Sequence, residues 1–268
     1  MNGMGSTEPS RSEEKIRLGG MALANGVLVH GPHAWACAVR TDDGGLKVVA
    51  RRKRIQAARV TSPVLRGPAR LAEAFALLPQ VKRALPEAQL PFARPRVLVS
   101  MVASAAVLQQ LKRSSIRPLS RELVTGLVSL APAALALRGG ELASYHGAEH
   151  VSIGSYEHGV DRPKEHERCG SHLVGPMLLT TAVGNLVAER APRRLRGPAR
   201  AAAALGSIAA STEIFGWMTR NPGHPVSRAL ARPGHELQHR VGTREPTAEQ
   251  LEVAEAALSA CLALEAEQ

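Results

Sequence analysis

Four apolar stretches beyond Pro95 limit what this chain can fold into: Val97–Leu111, Leu123–Leu137, Leu173–Ala188 and Ala201–Met218, each with few or no charges. A bilayer span needs roughly 20 such residues. All four fall short, so length and charge alone favour the buried helices of a soluble bundle over short, alanine-rich membrane helices. Loop charge gives no clear topology. The segment before residue 97 is rich in Lys and Arg, as a cytoplasmic segment should be. The loops Lys112–Arg121 and Arg190–Arg200 are basic too, and in a simple four-span arrangement both would face outward. Aromatic residues make up only 3% of the chain, so any core must be built from Ala, Leu and Val.

The rest of the chain divides around this body. Residues 1–18 are polar, with no apolar run of the kind a secretory signal needs, and read as a disordered tail. Residues 19–60 read as a β-rich unit. Gly19-Gly20 opens it, Gly31-Pro32 separates the runs Gly26–His30 and Ala34–Val39, and a turn at Asp42–Gly45 precedes Leu46–Ala50. Arg51-Arg52-Lys53-Arg54 closes the unit as a solvated basic run. Residues 61–95 hold an amphipathic helix, carried by Leu65, Leu71, Phe75, Leu78 and Val81, and a proline-marked linker. Residues 96–221 form the apolar helical body. Residues 222–268 are polar and end in a helix that Thr247 caps. The expected class is α+β, mainly α: a small N-terminal β-rich unit followed by a helical body with about four apolar helices.

The chemistry concentrates in Tyr145-His146-Gly147-Ala148-Glu149-His150, which contains His-x-x-Glu-His, the inverted form of the zinc-protease helix motif. On a helix, His146 and His150 lie one turn apart on one face with Glu149 beside them. Two imidazoles so placed bind one divalent metal, and the carboxylate then acts as general base on a metal-bound water. Five of the ten histidines (146, 150, 158, 166 and 172) fall in this region together with Cys169. A zinc site needs a third protein ligand. One candidate is Cys169, at a loop-to-helix boundary. The other is Glu213, a carboxylate inside an otherwise apolar helix, where its burial is costly unless it is paired or ligated. Inverted zincins take their last ligand from a downstream Glu, which suits Glu213 in order. His166 and Arg168 flank Cys169 and are placed to orient it or to bind an anionic substrate. Glu157 and His158, between Gly154 and Gly159, read as a loop behind the ligands.

The net charge of +11 comes mainly from arginine. It fits an Ala/Arg/Gly/Pro-rich compositional bias better than a nucleic-acid partner, since no basic motif interleaved with aromatics is present. Cys37, Cys169 and Cys261 are odd in number and widely spaced, which excludes a disulfide framework and fits a reducing compartment.

Several motifs in order resemble the YqhQ-like bacterial membrane protein family, a domain of unknown function (1385) described as a predicted metal-dependent enzyme. They are Tyr145–His150, Tyr156-Glu157-x-Gly159, His166-x-Arg168-Cys169-Gly170, Gly19-Gly20 with Gly26-Val27 and Gly31-Pro32, Leu65-Arg66-Gly67 with Glu73, Glu213, and Thr243-Arg244-Glu245-Pro246 with Leu251–Ala254. The resemblance covers roughly residues 19–260. It implies a multi-pass or closely associated membrane protein with a cytoplasmic N-terminal part and a metal, and it names no substrate. The chain departs from the family pattern at Met21 and Asn25, at His30 where an Arg is usual, and at Val151 where a Lys is usual. It also has shorter apolar helices.

The expected function is therefore metal-assisted hydrolysis at the cytoplasmic face of a membrane. Zinc would be bound by His146 and His150 with Cys169 or Glu213. Glu149 would be the base, and Tyr145, Glu157, His166 and Arg168 would stand around the ligands or the substrate. The alternative is a non-enzymatic membrane scaffold or regulatory protein in which the same residues form a structural hydrogen-bond network; the departures at Met21 and Asn25 favour it.

Overall fold

The computed structural model describes residues 15–111, 113–114, 116–138 and 140–267, and the tail expected over residues 1–14 lies outside them. Four strands come first: β1 Gly19–Leu23, β2 Gly26–His30, β3 Ala34–Arg40 and β4 Leu46–Arg52. Eight α-helices follow among the described residues: α1 Pro63–Ala84, α2 Pro95–Leu111, α3 Pro118–Leu137, α4 Glu141–His158, α5 Val174–Glu189, α6 Arg196–Arg220, α7 Pro225–Leu237 and α8 Ala248–Ala266. The α+β, mainly helical class read from the sequence is the class observed. Thr247 caps α8 in a full capping box with Gln250. Two elements escaped the sequence reading. β1 begins with two glycines, which weaken any strand signal, and is held by its ladder to β2. α7 lies in the segment read as merely polar; Pro225 starts it and the His224 ring accepts from Val226 N.

The strands pair antiparallel in the order β1-β2-β3-β4. β3 is covered on both faces. Ala36 and Ala38 join Val27 and Val29 in a core completed by Ala148 of α4 and by Val253, Ala254, Ala257 and Cys261 of α8. Trp35, Cys37 and Val39 point the other way, against Leu77 and Val81 of α1. A strand buried on both sides reads as an unbroken apolar run, as Ala34–Val39 does.

Lys53 corrects the sequence reading. It was expected in a solvated basic run, yet its side chain is 2% exposed. β4 ends at Arg52, and the backbone N–H of Lys53 donates to the His33 carbonyl at 2.7 Å, which turns the side chain inward. Its Nζ lies 3.1 Å from Glu73 Oε2 and donates to His30 Nδ1 at 3.0 Å. Glu73 also accepts from Ala57 N at 3.1 Å. A buried ammonium is tolerable only with this full set of partners.

The apolar body consists of two helical hairpins, α2–α3 and α5–α6. At their tips Arg121 of α3 forms an ion pair with Glu189 of α5, and Asn185 Nδ2 donates to Glu122 Oε2 at 2.8 Å. Two segments, Ser120–Leu137 and Gly170–Glu189, are long and apolar enough to cross a membrane; Pro95–Leu111 is shorter. Large apolar side chains stand exposed on these helices, among them Val99 and Val102 of α2, Leu127 of α3, and Leu179, Val183 and Val187 of α5.

Burial, with Lys53 alongside, pushes the His30 pKa down to about 4. The unfolded chain takes up this proton below about pH 6.5 and the folded chain only near 4. The contribution is therefore fully present above pH 6.5 and is lost as pH falls toward 4. Between pH 7 and pH 5 the wild type should lose about 2 kcal/mol of stability that a His30→Gln variant does not lose. Denaturant midpoints of the two proteins at both pH values measure this, and parallel shifts would refute it.

Candidate functional site

α4 is buried on almost every side; ten of its residues are buried. It runs through Glu157 and His158, where the sequence suggested a loop. The stop is Gly159, whose φ of 73° is left-handed and whose N–H closes on the Ser155 carbonyl. Polar groups on such a helix need internal partners, and two passing segments supply them. Arg244 N donates to the Ala143 carbonyl at 3.0 Å. That crossing is close enough that a Cβ on Gly147 would lie 2.1 Å from the Arg244 carbonyl oxygen, so no larger residue fits there. His146 Nδ1 lies 2.8 Å from the Gly242 carbonyl, and His150 Nδ1 lies 2.6 Å from the Lys164 carbonyl.

These two bonds decide the tautomers. A carbonyl only accepts, so Nδ1 carries the hydrogen on both rings and Nε2 presents a lone pair. The rings stand with centroids 4.3 Å apart. Cys169 Sγ lies 3.5 Å from His146 Nε2 and accepts from Ser171 N at 3.5 Å. His150 Nε2 is buried with no hydrogen-bond partner. One donor atom from each of His146, His150 and Cys169 lies within 4.8 Å of the others. A filled tetrahedral zinc site spaces such donors by roughly 3.3–3.6 Å, from Zn–N and Zn–S lengths of about 2.0 and 2.3 Å, so binding would draw them inward. The residues fit a metal: two lone pairs with fixed tautomers, a thiol, and one buried acceptor left without a donor. Burial lowers the pKa of His150, which keeps the ring neutral and able to ligate.

Glu149 lies beside them against β1. Its Oε1 would be 2.3 Å from a Cβ on Gly20, so the strand carries glycine where the carboxylate rests. Its Oε2 is buried and unpartnered. Burial raises its pKa, partly offset by the nearby His146 and His166. All four residues line a cavity of about 430 Å³, with Leu18, Met21, Leu137, Leu142 and Ile153 on its apolar side and His166 and Arg168 on its polar side.

The other candidates fall in different places. His166 Nε2 is 3.2 Å and Arg168 2.6 Å from Glu157, whose carboxyl is pushed up by burial and pulled further down by these two partners. Tyr145 packs in the core under the sheet and does not line the cavity. Glu213 is not brought to the cluster: Arg66 of α1 holds it in a bidentate pair with α6. That pairing accounts for a carboxylate on an apolar helix without any metal. Sequence reasoning missed Gln238, fully buried, whose Oε1 accepts from His166 N at 2.9 Å and whose Nε2 donates to Ser171 Oγ at 2.6 Å. It fixes both sides of the Cys169 loop, and nothing in its polar sequence neighbourhood marks it.

Residues 140–264 match the model of a family described as protein of unknown function (DUF1385), which supports placing the chain in that family. The match holds the whole cluster and leaves out the sheet that supplies Gly20. No curated protein and no solved structure matches the chain.

Gly20→Ala should force Glu149 aside and cost about 1–3 kcal/mol. Truncating the carboxylate as well, in Gly20→Ala/Glu149→Ala, should recover most of it, a coupling measurable by a thermal double-mutant cycle. Additive losses would mean that the two residues do not meet.

Proposed function

We propose that the chain is a membrane-associated, zinc-dependent hydrolase whose metal centre is His146, His150 and Cys169, with Glu149 as general base, working at the cytoplasmic face. The family match supplies no chemistry, so the reading rests on the site. The observation that carries it is the convergence of one donor atom each from His146, His150 and Cys169 to within 4.8 Å of one another beside a cavity, with His150 Nε2 buried and making no hydrogen bond. Leaving such an atom unmet costs about 1–3 kcal/mol, a cost that ligation removes. Two imidazoles and a thiolate are borderline-soft donors, which suits zinc better than magnesium or calcium.

Zinc held by His146, His150 and Cys169 would supply a Lewis acid that lowers the pKa of a water. The chain's own groups do the rest. Glu149 takes a proton at its carboxylate and returns it to the leaving group; its burial lifts its affinity for that proton toward the working pH. Arg168, braced by Glu157, offers a fixed positive charge at the cavity wall for a developing oxyanion. The carbonyls of Gly242 and Lys164 hold the imidazoles in their ligating tautomer.

The exposed apolar faces of α2, α3 and α5 support a membrane environment. The 3.5 Å contact between Cys169 and His146 also suits a metal-free network in a scaffold protein. The unmet His150 nitrogen argues against that reading.

Purified wild type should carry about one zinc per chain. His146→Ala, His150→Ala and Cys169→Ala should each lose it, while Glu213→Gln should keep it. Glu149→Gln should retain the metal and lose hydrolysis. Metal analysis of the six proteins decides the matter: negligible zinc throughout would leave the scaffold reading.

A further inference from the structure

The cavity forms where the ends of the two longest apolar segments meet. Ser120–Leu137 ends on Leu137 and Gly170–Glu189 begins on Gly170, and both terminal residues line the cavity. Pro91, just ahead of α2, lines it as well. The opposite ends of α3 and α5 are clasped together by Arg121, Glu122, Asn185 and Glu189. The helices therefore run from the cavity in one shared direction. With 16 residues, α5 rises about 24 Å, and the 3-10 turn Gly170–Leu173 ahead of it adds about 8 Å, together close to the depth of a hydrocarbon core, roughly 30 Å. The apolar belt on their exposed sides starts where the cavity stops. The cavity itself changes character from its apolar wall at Leu18, Met21, Leu137 and Leu142 to the imidazoles, Glu149 and Arg168.

We infer that this cavity opens at the headgroup level of the bilayer and that its substrate is a membrane amphiphile. The hydrolysable bond sits beside the polar head, and the apolar chain leaves along α3 and α5. This deepens the metal-centre reading above and rests on it. A volume of about 430 Å³ holds a headgroup and the first part of a chain, while a whole lipid must leave its remainder outside. A helix belt that continues the apolar wall provides that outside as hydrocarbon. Arg168, with Nη1 on Glu157 at 2.6 Å, is exposed at the cavity edge, where it meets an anionic head.

The cysteines make the test direct. Cys37 and Cys261 are fully buried, with pKa values pushed up to about 12 and about 11, so they are poor thiol reporters. Cys169 lines the cavity. The full chain is reconstituted in phosphatidylcholine vesicles and stripped of metal with a chelator. It is then exposed either to phosphatidylethanolamine carrying a maleimide on its head or to water-soluble iodoacetamide, and mass spectrometry locates the adducts. The expected result is a lipid adduct on Cys169, lost in Leu137→Trp while the iodoacetamide adduct persists. Labelling by iodoacetamide alone overturns the inference, as does no labelling by either reagent or failure to bind the vesicles. Zinc added back before iodoacetamide reports separately on the metal: protection of Cys169 without any lipid adduct leaves the metal centre standing and removes only the amphiphile. A lipid adduct without zinc protection does the reverse.

Discussion

A helix buried on almost every side must have its polar side chains met from within, and the organisation of this protein follows from that constraint on α4. Backbone carbonyls from two separate loops take the Nδ1 hydrogens of His146 and His150. The chain at Arg244 closes on the helix over Gly147. Glycine in β1 makes room for Glu149. Three buried side-chain atoms of α4 stay without a hydrogen bond, Ser152 Oγ, Glu149 Oε2 and His150 Nε2, and the last two belong to residues that line one cavity. Those two fall where chemistry would use them, as expected of a site that gives up local stability for function.

β1 carries this arrangement on both of its sides. Gly20 receives Glu149 on the face toward α4, and Gly19 packs against the His30 ring on the other face. His30 in turn accepts from Lys53, which is paired with Glu73 of α1. Two buried polar clusters are thus separated by a single strand. The Gly19-Gly20 pair was visible in the sequence as an opening punctuation, but its use as a double seat for side chains depends on contacts with residues far along the chain.

The same distinction marks how much of the protein was readable in advance. The Gly- and Pro-bounded runs gave three of the four strands, and the apolar stretches gave α2 and α5 nearly to their ends and α3 and α6 without their first five residues, because periodicity and turn residues are local signals. The His-x-x-Glu-His turn was legible for the same reason, and Cys169 could be named from its clustering. Lys53 was misread because a basic run looks solvated until a distant carboxylate on α1 is known. Glu213 looked like a ligand because its true partner, Arg66, lies on another helix. Gln238 was invisible, since the two loop residues it joins are more than 60 positions upstream. Pairings of this kind are fixed by tertiary packing and leave no trace in spacing.

β4 ends the sheet, and its outward residues include Lys47, Arg51 and Arg52. An unpaired strand edge is a template for another copy of the same chain, and charged side chains along it, Lys47 paired with Glu87 and Arg52 with Glu267, oppose such templating because an incoming strand would have to strip them of water. That charged margin would keep neighbouring copies from joining sheet to sheet and aggregating.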